Sequence, residues 1–554
     1  MELYSYQSVR HTNLFATLYR EPTKIEINLL KASNFLGAIG SIIGGEVSEH
    51  FGFIRSMESL SVVWIIGIIF TFISDTITML MMGKIINGVA IGMSFITIPI
   101  YQYEIIPNKN RGRILSIFIF SCSLGNVFIY IIRLISERFL NESKYSRLHW
   151  AIEIIPLIIA ATFIVFIPES PKWLATNSEW QTAADVLESI EIKNSSPVEK
   201  KKTKEERIRL GDKHYVIKKY STGVCIKSCS INGLFGKKYI KEVCMGIVLL
   251  FFVDFTSISK ILESLDYICE SCFIVGDNLK TVTVFQLVMR VLFTAAPIMI
   301  LDMMRRKDVL VFGMFLTTVV MIIYMIVFLG FSVKLPDVKH PDADWFIKVN
   351  FFDEKASLVL ALTVFLDVVY YSMLVPTCWL YIIENFSSSS RIKGWVVITS
   401  LHWMFEACTS LAFPFLLEKL GGWLFFIVTF ICLAGSFFTT QLEETKGKFD
   451  FDPEYIMTDD RGDVSEDKTI TAQPVQMKSL KDNASLNSAT SGSKNGHSER
   501  QNLESKPSIK SIPIVHPWEV SYGKSKNEKS NSGTNPTGNS SGVNKNLLDA
   551  YARL

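Results

Sequence analysis

The chain has 554 residues, of which 49% are hydrophobic and 12% aromatic, including 39 phenylalanines. With a mean hydropathy of +0.29 and its charge confined to a few blocks between long apolar windows, it is excluded as an ordinary soluble protein. The net charge of +3 excludes nothing by itself, and nine cysteines, mostly inside apolar segments, do not read as a disulfide framework.

In chain order, residues 1–28 form a polar segment without a cleavable signal pattern. A membrane crossing needs about 20 mainly apolar residues. Spans are therefore expected near 29–47, 57–74, 78–101, 114–134 and 150–167. A polar, basic block follows, and six further spans are expected near 242–268, 280–300, 309–332, 356–382, 393–417 and 421–442. Residues 448–554, rich in Ser, Asn, Lys and Gly, read as a disordered tail. The chain is thus an all-α polytopic membrane protein. Its basic loops place the 168–241 block and the tail in the cytosol. Within that block Trp180, Ala183, Ala184, Leu187 and Ile190 mark the apolar face of an amphipathic helix. Asn141-Glu142-Ser143, in a predicted outer loop, is a glycosylation sequon at Asn141. Cys269 and Cys272 suit either a local disulfide or two unrelated thiols.

The most informative stretch is Gly83 to Arg113. Gly83, Gly88 and Gly92 recur at helical spacing, so a neighbouring helix can approach closely. Pro99 removes a backbone donor near the end, and Glu104, Arg111 and Arg113 follow where membrane meets water. With Lys84, Tyr101, Pro107 and Gly112, the stretch resembles the fourth helix of the sugar porters within the major facilitator superfamily. Pro168-Glu169-Ser170-Pro171-Lys172-Trp173-Leu174 and Glu444-Thr445-Lys446-Gly447 resemble two further motifs of that family, and the likeness spans roughly residues 30–447.

The resemblance implies a major facilitator fold: an N-terminal bundle at 29–174, a cytosolic helical linker at 175–241 and a C-terminal bundle at 242–447. The five-plus-six count leaves the family's first helix without a counterpart, together with the Asp it carries in proton-coupled members. The family's cytosolic gate maps onto Glu104, Arg111, Glu169, Arg306, Lys307, Glu384 and Arg391. The loop from Glu49 to Arg55 departs from the pattern, which predicts a weaker closure there.

The central cavity departs further. The family's sugar-binding amides fall on Ile119, Asp254, Ser259, Arg290, His402 and Glu406, while Trp379 is kept. Charges inside apolar spans are costly unless paired or hydrated. An Asp254–Arg290 ion pair is expected, and His402 with Glu406, one turn apart, suits a second pair or a proton-binding couple.

No nucleotide loop, metal cluster or nucleophile constellation is present in the sequence, so neither an enzyme nor a cofactor is expected, and no nucleic-acid partner. The expected partners are the lipid bilayer and a small solute, with or without a coupled proton. The tail is a candidate for trafficking or ubiquitin machinery. The family implies transport of a carbohydrate or polyol by alternating access, at the plasma membrane. A non-transporting nutrient sensor on the same scaffold, or an inactive diverged transporter, are the alternatives.

Overall fold

The computed structural model describes residues 33–446, less 107–109, 140–151, 194–196, 220–229, 257, 264, 266–267, 270–271, 273–276, 332, 335–348 and 351–353. The expected 1–28 segment, the 448–554 tail and the Asn141 sequon lie outside the described residues.

A one-turn 3-10 segment, Ser33–Leu36, leads into α1 (Gly37–Phe51). Gly52 ends that helix at φ +95°, a backbone conformation that side chains other than glycine's rarely adopt. The chain turns at once into α2 (Phe53–Ile73), then α3 (Ile77–Ile105), α4 (Arg111–Phe139) and the shorter α5 (Ile154–Ile164). Thr76 caps α3 by accepting from the Met79 amide at 3.3 Å. The glycines read from the sequence are where α3 is crossed. A Cβ on Gly92 would lie 2.0 Å from the Gly37 carbonyl oxygen, and one on Gly40 would lie 2.0 Å from that of Val89. Helices α1 and α3 therefore touch backbone to backbone.

The linker is a small helical unit of α6 (Pro171–Thr176), α7 (Trp180–Lys193), α8 (Pro197–Leu210) and α9 (Asp212–Lys219). The expected face of α7 is used inward: Ala183 and Ala184 are fully buried against Tyr215 and Val216 of α9 and Leu174 of α6. Arg207 of α8 ties the unit together, reaching Asp185 and Glu188 of α7 and Asp212 of α9, each at 2.7 Å. Burial works against its charge, but these three carboxylates outweigh it and raise the guanidinium pKa.

The second half opens with α10 (Ile240–Phe255) and the short α11 (Ile258–Glu263). Helices α12 (Asp277–Thr294) and α13 (Arg306–Gly330) follow. Then α14 (Glu354–Val369) runs through a π-helical segment, Tyr370–Leu374, into α15 (Val375–Asn385). The bulge precedes Pro376, which cannot donate to the helix, and such bulges favour functional places. Helices α16 (Arg391–Leu420) and α17 (Trp423–Thr440) complete the half. A two-residue ladder pairs Val333–Lys334 with Val349–Asn350.

Among the described residues nine helical spans are long and apolar enough to cross a membrane. The two expected spans outside that set are α1 (15 residues) and α5 (11 residues). Large apolar side chains cover the outside, with Phe437, Phe430 and Leu292 each more than 60% exposed, as a bilayer-facing surface requires. The two halves meet where α16 packs on α1 and α3, and where α12 and α15 pack on α4. Cys269 and Cys272 are both buried, and no disulfide joins them to each other.

Candidate transport site: a charged core and a closed linker end

At the end of the bundle that carries the linker, helix N-termini repeatedly receive a carboxylate from a distant segment. Free amides at a helix start bind anions, and the helix dipole favours the negative charge. Glu169 accepts from the amides of Phe53 and Ile54 at 3.0 and 3.1 Å, the first residues of α2. Glu444 does the same for Arg306 and Lys307 at the start of α13, at 3.0 and 3.2 Å. Glu242 accepts from the Ser390 hydroxyl at 2.7 Å and the Ser387 amide at 3.2 Å, just ahead of α16. The fourth case joins the halves: Asp302 accepts from the Gly112 and Arg113 amides of α4 at 2.8 and 3.0 Å. Gly112 has no room for a side chain, since its Cβ would lie 2.5 Å from Asp302 Oδ1.

The seven gate residues expected from sequence gather at this end, and most are bonded within their own half. Glu104 accepts from Ser170 Oγ at 2.6 Å and lies 3.5 Å from Lys172. Burial pushes the Glu169 carboxyl above its usual range, and the Glu104 charge adds to this, against the pull of its amide donors. Arg306 pairs with Glu384 at 3.3 Å, and Thr445 also donates to Glu384, at 2.8 Å. Lys307 contributes its backbone amide to Glu444. Arg111 and Arg391 sandwich the Tyr103 ring at 3.9 and 4.3 Å, and Arg391 comes from the opposite half.

Other contacts across the seam come from residues that the sequence reading did not select. Lys393 of α16 binds Glu46 and Glu49 of α1, the latter at 2.7 Å. Thus the divergent stretch from Glu49 to Arg55 carries both kinds of contact: Glu49, with Glu46, meets the Lys393 ammonium of the other half, and the Phe53 and Ile54 amides hold Glu169. Lys172 donates to the Ser388 carbonyl at 3.1 Å, and Trp395 Nε1 to the Phe95 carbonyl at 2.9 Å.

Midway along the bundle the described residues of the second half bring together six acidic and basic side chains. The expected Asp254–Arg290 pair is not what forms. Asp254 Oδ2 lies 3.0 Å from His402 Nδ1, and Arg290 instead binds Asp367 on α14 through Nε and Nη2 at 2.9 Å each. Arg290 also lies 4.3 Å from the Tyr371 ring in the π segment. Nor do His402 and Glu406 pair with each other: Glu406 accepts from Lys260 of α11, whose ammonium also reaches Ser410 at 3.1 Å. Helices α10 and α11 are thus each tied to α16 by a charge pair.

The local reason is reach. Asp254 and Lys260 both face α16, whereas α14 brings its own carboxylate to Arg290. Lys260 and Asp367 went unselected, although an ionisable residue inside an apolar span is itself a signal of function. Ile119 is buried in the apolar core, and Ser259 is partly buried on α11. Trp379 belongs to a ring cluster in which His402 lies 5.0 Å from Trp379, 5.3 Å from Trp403 and 6.2 Å from Phe95 of α3. Trp403 Nε1 is buried with no hydrogen-bond partner among the described residues. None of the described residues forms a cluster able to hold a metal ion.

The chain matches the family described as "Sugar (and other) transporter" over residues 4–451. It is 24% identical to a high-affinity glucose transporter of Kluyveromyces lactis, over 81% of this chain and 80% of the relative. It is 26% identical to the putative metabolite transport protein YwtG of Bacillus subtilis, over 76% of this chain and 84% of the relative. Among solved structures, the proton:xylose symporter XylE bound to 6-bromo-6-deoxy-D-glucose superposes with a TM-score of 0.63 at 19% identity, covering 81% of this chain and 94% of XylE. That likeness speaks to the fold. The chain is a multi-pass membrane protein of the sugar transporter family within the major facilitator superfamily.

Proposed function

We propose that this protein moves a small polar solute across the membrane by alternating access, with the second-half core as its binding region and the linker end as its cytosolic gate. The observation that carries this reading is the Asp302 bridge to the amides of α4, because it joins the halves at one end through exchangeable hydrogen bonds. Such contacts are individually modest and water can replace them, as a closure that must open requires. The kinship with glucose transporters makes a carbohydrate or polyol the first cargo to test. The Trp379–Trp403–Phe95 corner, with its unsatisfied indole N–H, suits a hydroxylated ring: apolar faces against the aromatics, hydroxyls to the donor. Around it Lys260 cancels Glu406 and Arg290 cancels Asp367, so these four charges do not by themselves demand a charged cargo. The sensor alternative gains no support from the relatives.

The test is uptake by a transporter-deficient host given labelled D-glucose, D-xylose, a polyol and one charged solute. Saturable uptake of a neutral member, lost on Trp379→Ala, is the expected result. Uptake confined to the charged solute overturns the carbohydrate reading, and no uptake of any overturns transport.

A further inference from the structure

Among the described residues, the core of the second half contains two cations, Lys260 and Arg290, and three acids, Asp254, Asp367 and Glu406, besides His402. Lys260 cancels Glu406 and Arg290 cancels Asp367. Asp254 remains, only 4% exposed, with His402 Nδ1 3.0 Å away. With the imidazole neutral, the group of six therefore sums to one buried negative charge, and a single added proton brings it to zero. An ionised Asp254 has only lone pairs to offer, so Nδ1 must carry the hydrogen it accepts. Nε2 is then the atom that takes up a proton, and the Asp254 carboxylate balances the imidazolium that results.

The place of this couple in the fold matters as much as its charge. His402 stacks on Phe95 of α3 with their planes 27° apart, and the neighbouring Trp403 ring fills the space in front of Gly37 on α1. Both contacts belong to the first half, so the couple sits on the seam along which the halves part. Among the described residues the titratable groups facing it are Glu406 on its own helix, Lys260 on α11, and Tyr370 and Cys378 on the π segment and α15. Helices α3 and α1 present Phe95 and Gly37 there, which do not titrate.

We propose that Asp254 and His402 form a proton-binding couple on this seam, neutral overall when loaded, so that proton uptake favours closure of the halves over the core. An uncompensated carboxylate holds water and resists being sealed between aromatic rings, whereas the loaded couple does not. The step moves one proton and breaks no covalent bond: the solvent loses H⁺ and His402 Nε2 gains it. The link to closure rests on the alternating-access reading above, while proton binding itself does not.

Tryptophan emission of the full-length protein in liposomes reports the event directly, because an imidazolium beside Trp379 and Trp403 quenches them. Titration from about pH 5 to pH 8, the range in which histidine changes charge, should give one sigmoidal transition in the wild type. His402→Gln should abolish it, and Asp254→Asn, which leaves the imidazole in place, should move its midpoint. A wild type without a transition, a transition that persists in His402→Gln, or an unmoved midpoint in Asp254→Asn would each overturn the couple. In the same liposomes, D-glucose entry should raise external pH in the wild type and not in His402→Gln. Entry of glucose with no pH change in the wild type would break the link to closure. Failure of the wild type to admit glucose or any other solute would count against transport and leave the fluorescence titration to decide the proton site.

Discussion

The linker end and the charged core solve the same problem, holding charge at a helical interface, in opposite ways. At the linker end, carboxylates bind the free amides of helix starts, as Glu169, Glu444 and Asp302 do. Water can satisfy those amides when the contact opens, so each bond is cheap to make and cheap to break. In the core, side chain meets side chain out of reach of solvent: Asp367 is fully buried and Arg290 only 4% exposed. There the loss of one partner leaves a charge with nothing to answer it. One region is built to exchange its contacts, the other to keep them.

Breaking the core should show the largest effect. Arg290→Met alone should cost about 3–5 kcal/mol of stability, since it strands a buried Asp367, while Arg290→Met with Asp367→Leu should regain most of it. Unfolding of the purified protein in detergent measures both, and two equal, additive losses would show that the pair is not a unit. The next effect concerns the backbone contact between α1 and α3 inside the first half. Gly92→Val puts methyl groups where the Gly37 carbonyl stands, and should lower stability by about 1–3 kcal/mol or block folding, read by the same unfolding assay.

At the linker end the changes should be smaller and should act on conformation. Asp302→Asn keeps the shape but removes the charge facing the α4 amides and one of the two oxygens that accept from them, together worth about 1 kcal/mol at a partly exposed helix start. It should speed alkylation of a cysteine placed beneath the closure, at Ser94, without lowering the unfolding midpoint by more than a degree or two. Smallest of all is the exposed Lys241–Glu443 pair, which contacts at 2.7 Å with both side chains more than half exposed. Lys241→Ala should change stability by less than about 0.5 kcal/mol. A larger loss would mean that surface pairs, and not amide capture, hold this end.

The difference between the regions also explains what could be read without coordinates. The linker-end motifs are short runs in sequence: Glu104 through Arg113, Glu169 through Leu174 and Glu444 through Gly447 are each recognisable within a few residues, so the gate residues were legible, whereas the distant amides that Glu169 and Glu444 hold were not. The family's spans were legible too, because about 20 apolar residues in a row have few other uses. The partners in the core were not. Asp254 and Arg290 were both visible as charges in apolar windows, but pairing them needed the rotation of α10, α12, α14 and α16 about their own axes. No sequence spacing supplies that, and Asp367, on a fourth helix, took the Arg290 guanidinium. Lys393 was missed for the same reason, since its carboxylates lie on α1, 347 residues away in the case of Glu46.

The central claim is that the linker end opens. It is tested most directly by the distance distribution between spin labels at Arg55 of α2 and Arg305 ahead of α13, placed on exposed positions of opposite halves in a cysteine-free background. Two populations are predicted, the shorter matching the closed arrangement and the longer gaining weight in Asp302→Asn. A single short distance, unchanged by that substitution and by any cargo, would contradict it.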